Sequence, residues 1–129
     1  MGAKEMRGER LAVAIARLLL AGIFIHGGWN AFKDPGNRAK QAEKLGLPKA
    51  ERMVRANGLA MAAGGTALAM GIVPRAAAAG LIASLVPTTL AGHRFWEEQD
   101  EQARRIQLTQ FLKNLGLIGG LVLLLSRGD

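Results

Sequence analysis

Apolar and charged positions alternate along this chain in long blocks, not in single-residue steps. Four apolar runs stand out, at 11–29, 54–73, 76–96 and 106–125. Each is close to the roughly 20 residues that an α-helix needs to cross about 30 Å of hydrocarbon. The third reaches Trp96 only if the long stem of Arg94 carries its charge to the interface. A segment in lipid must satisfy its own backbone N–H and C=O groups, so the runs read as helices and not as isolated strands. The pattern predicts an all-α fold, an integral membrane four-helix bundle made by one domain spanning 1–129.

Punctuation residues refine this outline. Asp34-Pro35 predicts the start of a short extra helix in the first loop, with a carboxylate cap and a ring that needs no N–H donor. Gly46 can end it in the left-handed conformation. Leu47-Pro48 then opens a second start that leads into the second run. The very short turn at Pro74-Arg75 makes the second and third runs adjacent and antiparallel. Pro87 removes one hydrogen bond inside the third run, and Thr88 and Thr89 are placed to satisfy the freed carbonyl. Ala56, Ala60 and Gly64 on the second run, and Gly116 and Gly120 on the fourth, mark candidate faces for close helix packing.

Composition supports a bilayer over a soluble core. Half of the residues are hydrophobic, only 5% are aromatic, and 17 are glycine. The formal charge of +7 could suggest a nucleic-acid partner. The cations lie mainly between the apolar runs, however, where membrane-flanking Lys and Arg belong, so no nucleic-acid partner is expected. The first run is longer than a signal-peptide core and lacks a small-residue cleavage site, which marks it as an uncleaved span. Absence of cysteine excludes disulfides, thiolate nucleophiles and Cys-ligated clusters. Lys4, Arg7, Arg10, Arg75 and Arg127 fall on one side of a four-span topology. Lys33, Arg38, Lys40, Lys44, Lys49, Arg52, Arg55, Arg94, Arg104 and Arg105 fall on the other. The richer side is expected to be cytoplasmic, in a multi-pass protein of the bacterial inner (plasma) membrane.

Polar side chains within the runs are the candidate chemistry, because charge at mid-bilayer costs on the order of 3 kcal/mol and usually faces the bundle interior. Arg17 either snorkels to the near interface or faces inward. Lys113 is too deep to snorkel easily and is expected beside an internal polar patch, with Asn114, near polar atoms of the first or second run. Gln107, Gln110 and Asn114 share one helical face, either as interhelical glue or as part of a site. His26 and His93 are each followed three residues later by tryptophan, Trp29 and Trp96, in a weak internal repeat. The two tryptophans are expected at one interface. The histidines are either interfacial residues bonded to backbone or headgroups, or part of a common cavity with Arg17 or Asn57. The ligand-binding set is then His26, His93, Arg17, Asn57, Lys113 and Asn114, with no catalytic residue and no metal site. Quinone is the candidate cofactor; bis-histidine haem ligation by His26 and His93 is disfavoured.

The chain resembles the DoxX family of small four-span bacterial membrane proteins. Carrying the resemblance are Arg17, Gly22 and His26-Gly27-Gly28, then Leu45-Gly46-Leu47-Pro48, Gly64-Gly65, Gly71 and Pro74-Arg75. The block from Pro87-Thr88-Thr89 through His93-Arg94-Phe95-Trp96, continuing to Gln110-Phe111-Leu112-Lys113-Asn114 and Gly119-Gly120, looks like the actinobacterial branch. Many relatives carry a glutamate on the second span near the paired glycines. Here Asn57 to Met61 contains no acid. The resemblance implies a four-helix membrane fold and a link to quinol and sulfur redox chemistry and oxidative-stress defence. In such systems the membrane protein gathers soluble redox enzymes.

Two functional readings follow. In one, the protein is a non-catalytic membrane subunit or scaffold of an oxidoreductase system, with a quinone or other small ligand in the bundle. In the other, it is a small-solute or proton transporter in which Pro87 and the polar stripe move. Expected partners are the lipid bilayer, soluble redox enzymes and a second copy of the chain as a homo-oligomer.

Overall fold

The computed structural model describes residues 2–127; Met1, Gly128 and Asp129 of the expected single domain lie outside the described residues. It is all helical, as the block pattern requires. Five α-helices follow in order: α1 (Ala3–Lys33), α2 (Gly36–Lys44), α3 (Ala50–Met70), α4 (Pro74–Gly92) and α5 (Glu101–Arg127), with a single 3-10 turn at Phe95–Glu97. The four long helices stand in a ring. α1 packs along α3, α3 on α4, α4 on α5, and α5 returns to α1, which leaves α1 and α4 diagonal. The short α2 lies across one end against α3 and α4.

α1, α5 and α4 with its following turn are long and apolar enough to cross a membrane. α3 falls short of that measure of length and composition. It carries Glu51, Arg52, Arg55 and Asn57 and is otherwise rich in glycine and alanine. The outer surface is apolar, with Leu19 77% and Leu123 66% exposed. That arrangement suits acyl chains and not water.

Each long helix sends one large side chain into the centre: Phe24, Leu68, Leu81 and Leu121 are all at most 1% exposed. Ala78, Leu85 and Leu124 complete this plug. The closest approach is between α1 and α3. A Cβ built on Gly28 would stand 2.5 Å from the Gly58 carbonyl oxygen, and one on Gly58 would stand 2.6 Å from the Gly28 carbonyl oxygen. Both are closer than a real Cβ tolerates, so this crossing requires two glycines. Gly65 continues the same face against Ala21, Phe24 and Ile25. The packing face of α3 is therefore Gly58 and Gly65, not the row Ala56, Ala60 and Gly64. Ala56 and Ala60 are exposed, and Gly64 packs on Leu81 of α4. On α5, Gly120 meets Leu20 of α1, whereas nothing approaches Gly116.

The connections follow their punctuation, with local differences. α1 ends where the Asp34 N–H donates to the Asn30 carbonyl at 2.8 Å. The Asp34 carboxylate makes no capping bond, and Pro35 stands at the start of α2. Gly46, at φ +80, ends α2 as expected, and the Leu47 N–H closes back on the Ala42 carbonyl at 3.2 Å. The turn from α3 to α4 is Gly71-Ile72-Val73, and Pro74 is the first helical residue, not part of the turn. At the far end of the bundle Arg127 pairs with Glu9, and Arg75 Nε donates to the Leu125 carbonyl at 3.1 Å. The start of α1, the end of α5 and the start of α4 are thus tied together.

Gly58→Val should lower the stability of the detergent-solubilised protein by about 1–3 kcal/mol, because overpacking a backbone contact forces α1 and α3 apart. Gly116→Ala should be neutral or slightly stabilising, since the methyl group meets nothing and alanine favours the helix. Thermal melts followed by size-exclusion recovery check both; equal losses would contradict the assigned crossing.

Candidate functional site

Above the central plug, at the end covered by α2, the helices diverge around a cavity of about 530 Å³. Phe24 and Leu85 from the plug are buried in its lining, together with Asn114. α1 contributes His26, Asn30 and Ala31, α3 contributes Val54, Asn57 and Met61, and α2 closes the end with Arg38, Gln41 and Ala42. α4 supplies Pro87 and Thr88, the residue capping its end is His93, and α5 supplies Lys113 and Leu117. The rim residues His26, Asn30, Arg38, Met53 and Lys113 are exposed.

Two side-chain relays converge on α4 beside Pro87. Asn57 Nδ2 of α3 donates to Thr88 Oγ1 at 3.1 Å, and that hydroxyl donates to the Ser84 carbonyl at 2.7 Å. Asn114 Nδ2 of α5 donates to Thr89 Oγ1 at 2.9 Å, and that hydroxyl donates to the Leu85 carbonyl at 2.7 Å. Adjacent threonines lie about 100° apart around α4 and so receive asparagines from its two neighbours, α3 and α5. Thr89 and Asn114 are only 2% and 4% exposed, so this second relay is a satisfied buried pair. The threonine hydroxyls bond the Ser84 and Leu85 carbonyls. They do not reach the Ala83 carbonyl that Pro87 frees, a correction to the sequence reading.

His93 Nδ1 lies 2.8 Å from Gln107 Oε1. With the Gln107 carbonyl oxygen turned to the ring, the matching tautomer has Nδ1 as donor and Nε2 as acceptor. His26 Nε2 lies 3.2 Å from Asn30 Nδ2 and accepts from that amide. The two rings come from diagonal helices and line one cavity. Lys113 Nζ donates to Gln110 Oε1 at 2.6 Å on its own helix. Its partner is therefore on α5, and that of Asn114 is on α4; neither bonds the first or second span.

Arg17 is not brought to this site. Its guanidinium packs against Gly71 at the opposite end of α3, below the plug, and its Nε is buried without a partner. Arg17 and His26 are nine residues apart, and α1 does not turn the arginine toward the cavity. The remaining five candidates, His26, His93, Asn57, Lys113 and Asn114, do share the cavity. Sequence reasoning missed Arg38, Gln41, Asn30 and Thr88. The spacing of Arg38, Gln41 and Ala42 puts them on one face of α2, a period that could have marked the covering helix.

Both tryptophans stand at this end and are about half exposed. Trp29 stacks on Phe32 with Lys33 over its ring, and Trp96 packs edge-on with Phe95 and Phe111 with Arg94 over its ring. Each indole therefore presents an apolar body beside a cation, the pairing suited to a headgroup layer. Among the described residues, no group of three or more His, Asp or Glu side chains is placed to hold a metal ion.

Compared with known families, residues 12–94 match the DoxX family model, from the third turn of α1 to just past the end of α4. The chain belongs to the DoxX family. With its apolar helices, that makes it a membrane protein. Neither a curated protein nor a solved structure matches this DoxX chain. The family match stops before α5, so Gln107, Lys113 and Asn114 are contributed by a segment outside it.

The Asn114–Thr89 pair should couple the two helices. A double-mutant cycle with Asn114→Ala and Thr89→Val, read by thermal stability in detergent, should return a coupling of about 0.6–1.7 kcal/mol. Additive losses would mean that the two side chains do not interact.

Proposed function

We propose that this DoxX protein is a ligand-binding membrane subunit of a redox system and holds a quinone headgroup in the cavity beneath α2. The observation that carries this reading is the cavity itself, which combines an apolar floor with polar groups from all five helices. A quinone is a flat apolar ring with oxygens at opposite ends. It needs apolar space with hydrogen-bonding groups on more than one side. His26 and His93 approach from diagonal helices, and Lys113 supplies an ammonium donor for a carbonyl oxygen. His93 Nε2, the acceptor in the neutral ring, suits the hydroxyl of the reduced form. The pairing with Gln107 would hold the ring in that tautomer.

Four features complete the proposal. α3 crosses the bilayer with the other long helices. Its end at α2 faces the cytoplasm of a bacterial cell, as the cation count favours. Soluble redox enzymes of oxidative-stress defence dock on that basic end. The protein gathers them and the quinone, and is not itself a catalyst.

Binding of a short-chain ubiquinone analogue to the purified protein in nonionic detergent, read by quenching of Trp29 and Trp96, tests the site. Quenching should saturate, and His93→Ala should weaken it roughly tenfold, the equivalent of one lost hydrogen bond of about 1.4 kcal/mol. Equal, non-saturating quenching in both proteins would reduce the signal to partitioning and remove the site.

A further inference from the structure

The charges around the cavity are of one sign. Its lining contains two fixed cations, Arg38 and Lys113, and two histidines, but no carboxylate. Carboxylates are not scarce at this end of the bundle. Glu51, Glu97 and Glu101 lie there, but each is paired with an arginine three or four residues along its own segment: Arg55, Arg94 and Arg105. Asp34, Glu43, Glu98 and Asp100 lie at this end too, and none of them lines the cavity. Lys113 is held by the neutral Gln110 oxygen, which fixes the ammonium without cancelling its charge.

A cation beside an apolar floor in lipid lacks the countercharge that such a site normally requires. A ligand can supply it. We propose that the cavity selects amphiphiles whose headgroup carries a single negative charge, and so prefers an acidic hydroxyquinone to a neutral quinone. This preference rests on the reading of the cavity as a quinone site. Arg38 on the covering helix and Lys113 on α5 would meet the anionic oxygen from two directions, while Phe24, Leu85 and Leu117 contact the ring and tail.

The test compares lawsone, a naphthoquinone whose ring hydroxyl is ionised at neutral pH, with its uncharged methyl ether. Both are titrated against the full chain in nonionic detergent, with decanoate as a competitor. Lawsone should bind at least roughly tenfold more tightly than the ether, a difference of about 1.4 kcal/mol. The two affinities should become equal in Arg38→Gln/Lys113→Gln, although both quinones lose the Lys113 donor. Circular dichroism of the double variant checks that the bundle is intact. Equal affinity for the two quinones would overturn the charge preference and leave the quinone site standing. Binding of decanoate but neither quinone, with the same dependence on Arg38 and Lys113, would support anion selection and remove the quinone. Binding of none of the three would overturn both.

Discussion

The backbone contact between Gly28 and Gly58 is the constraint on which the rest of the bundle depends. It lets α1 and α3 approach more closely than any side chain would permit. With the helices locked there, Arg55 of α3 reaches the C-terminal end of α1 and donates to the Phe32 carbonyl at 2.6 Å. A helix end leaves carbonyls unsatisfied, and a guanidinium in this position answers both the hydrogen-bond deficit and the negative end of the dipole. Next to the same contact, Ala31, Asn57 and Met61 form one wall of the cavity.

This explains why α3 can stand among apolar helices although its own composition is too polar and too small to mark it as a span. Glu51, Arg52, Arg55 and Asn57 lower its hydropathy, and the two deepest of them, Arg55 and Asn57, are satisfied within the bundle. Arg55 bonds α1 and Glu51, and Asn57 bonds Thr88 of α4. Their hydrogen bonds run into the bundle, to α1 and to α4. Close packing of small residues takes the place of large apolar side chains. The same economy shapes α4, where consecutive threonines behind Pro87 take asparagines from helices on both sides. The polar groups therefore fix the arrangement of three helices around the cavity, and the plug of Phe24, Leu68, Leu81 and Leu121 closes it below.

Much of this was legible in the sequence. Block hydropathy gave the long helices, and Gly46 and Pro35 bounded α2. Parallel placement of the first and third spans brought His26 and His93 to one end. Four-residue periodicity misassigned the face of α3, because Ala56 and Ala60 fit the spacing as well as the glycines do. Only the three-dimensional crossing shows that Gly58 and Gly65 are the ones with no room for a Cβ. Arg17 stands nine residues before His26, about half a turn out of phase and on the other side of Phe24, so only a bend in α1 could have brought it to the cavity. Arg38 and Gln41 escaped notice because a short polar helix looks like a connection until it is found lying over a cavity.

The central claim is that α3 stands across the membrane and forms a wall of the cavity. Reporter fusions after Gly46 and at the C-terminus test it most directly. With four crossings the two fusions lie on opposite sides, with Gly46 in the cytoplasm. If α3 lies outside the bilayer, only three helices cross, and both reporters give the same side, which contradicts a membrane-embedded cavity walled by α3.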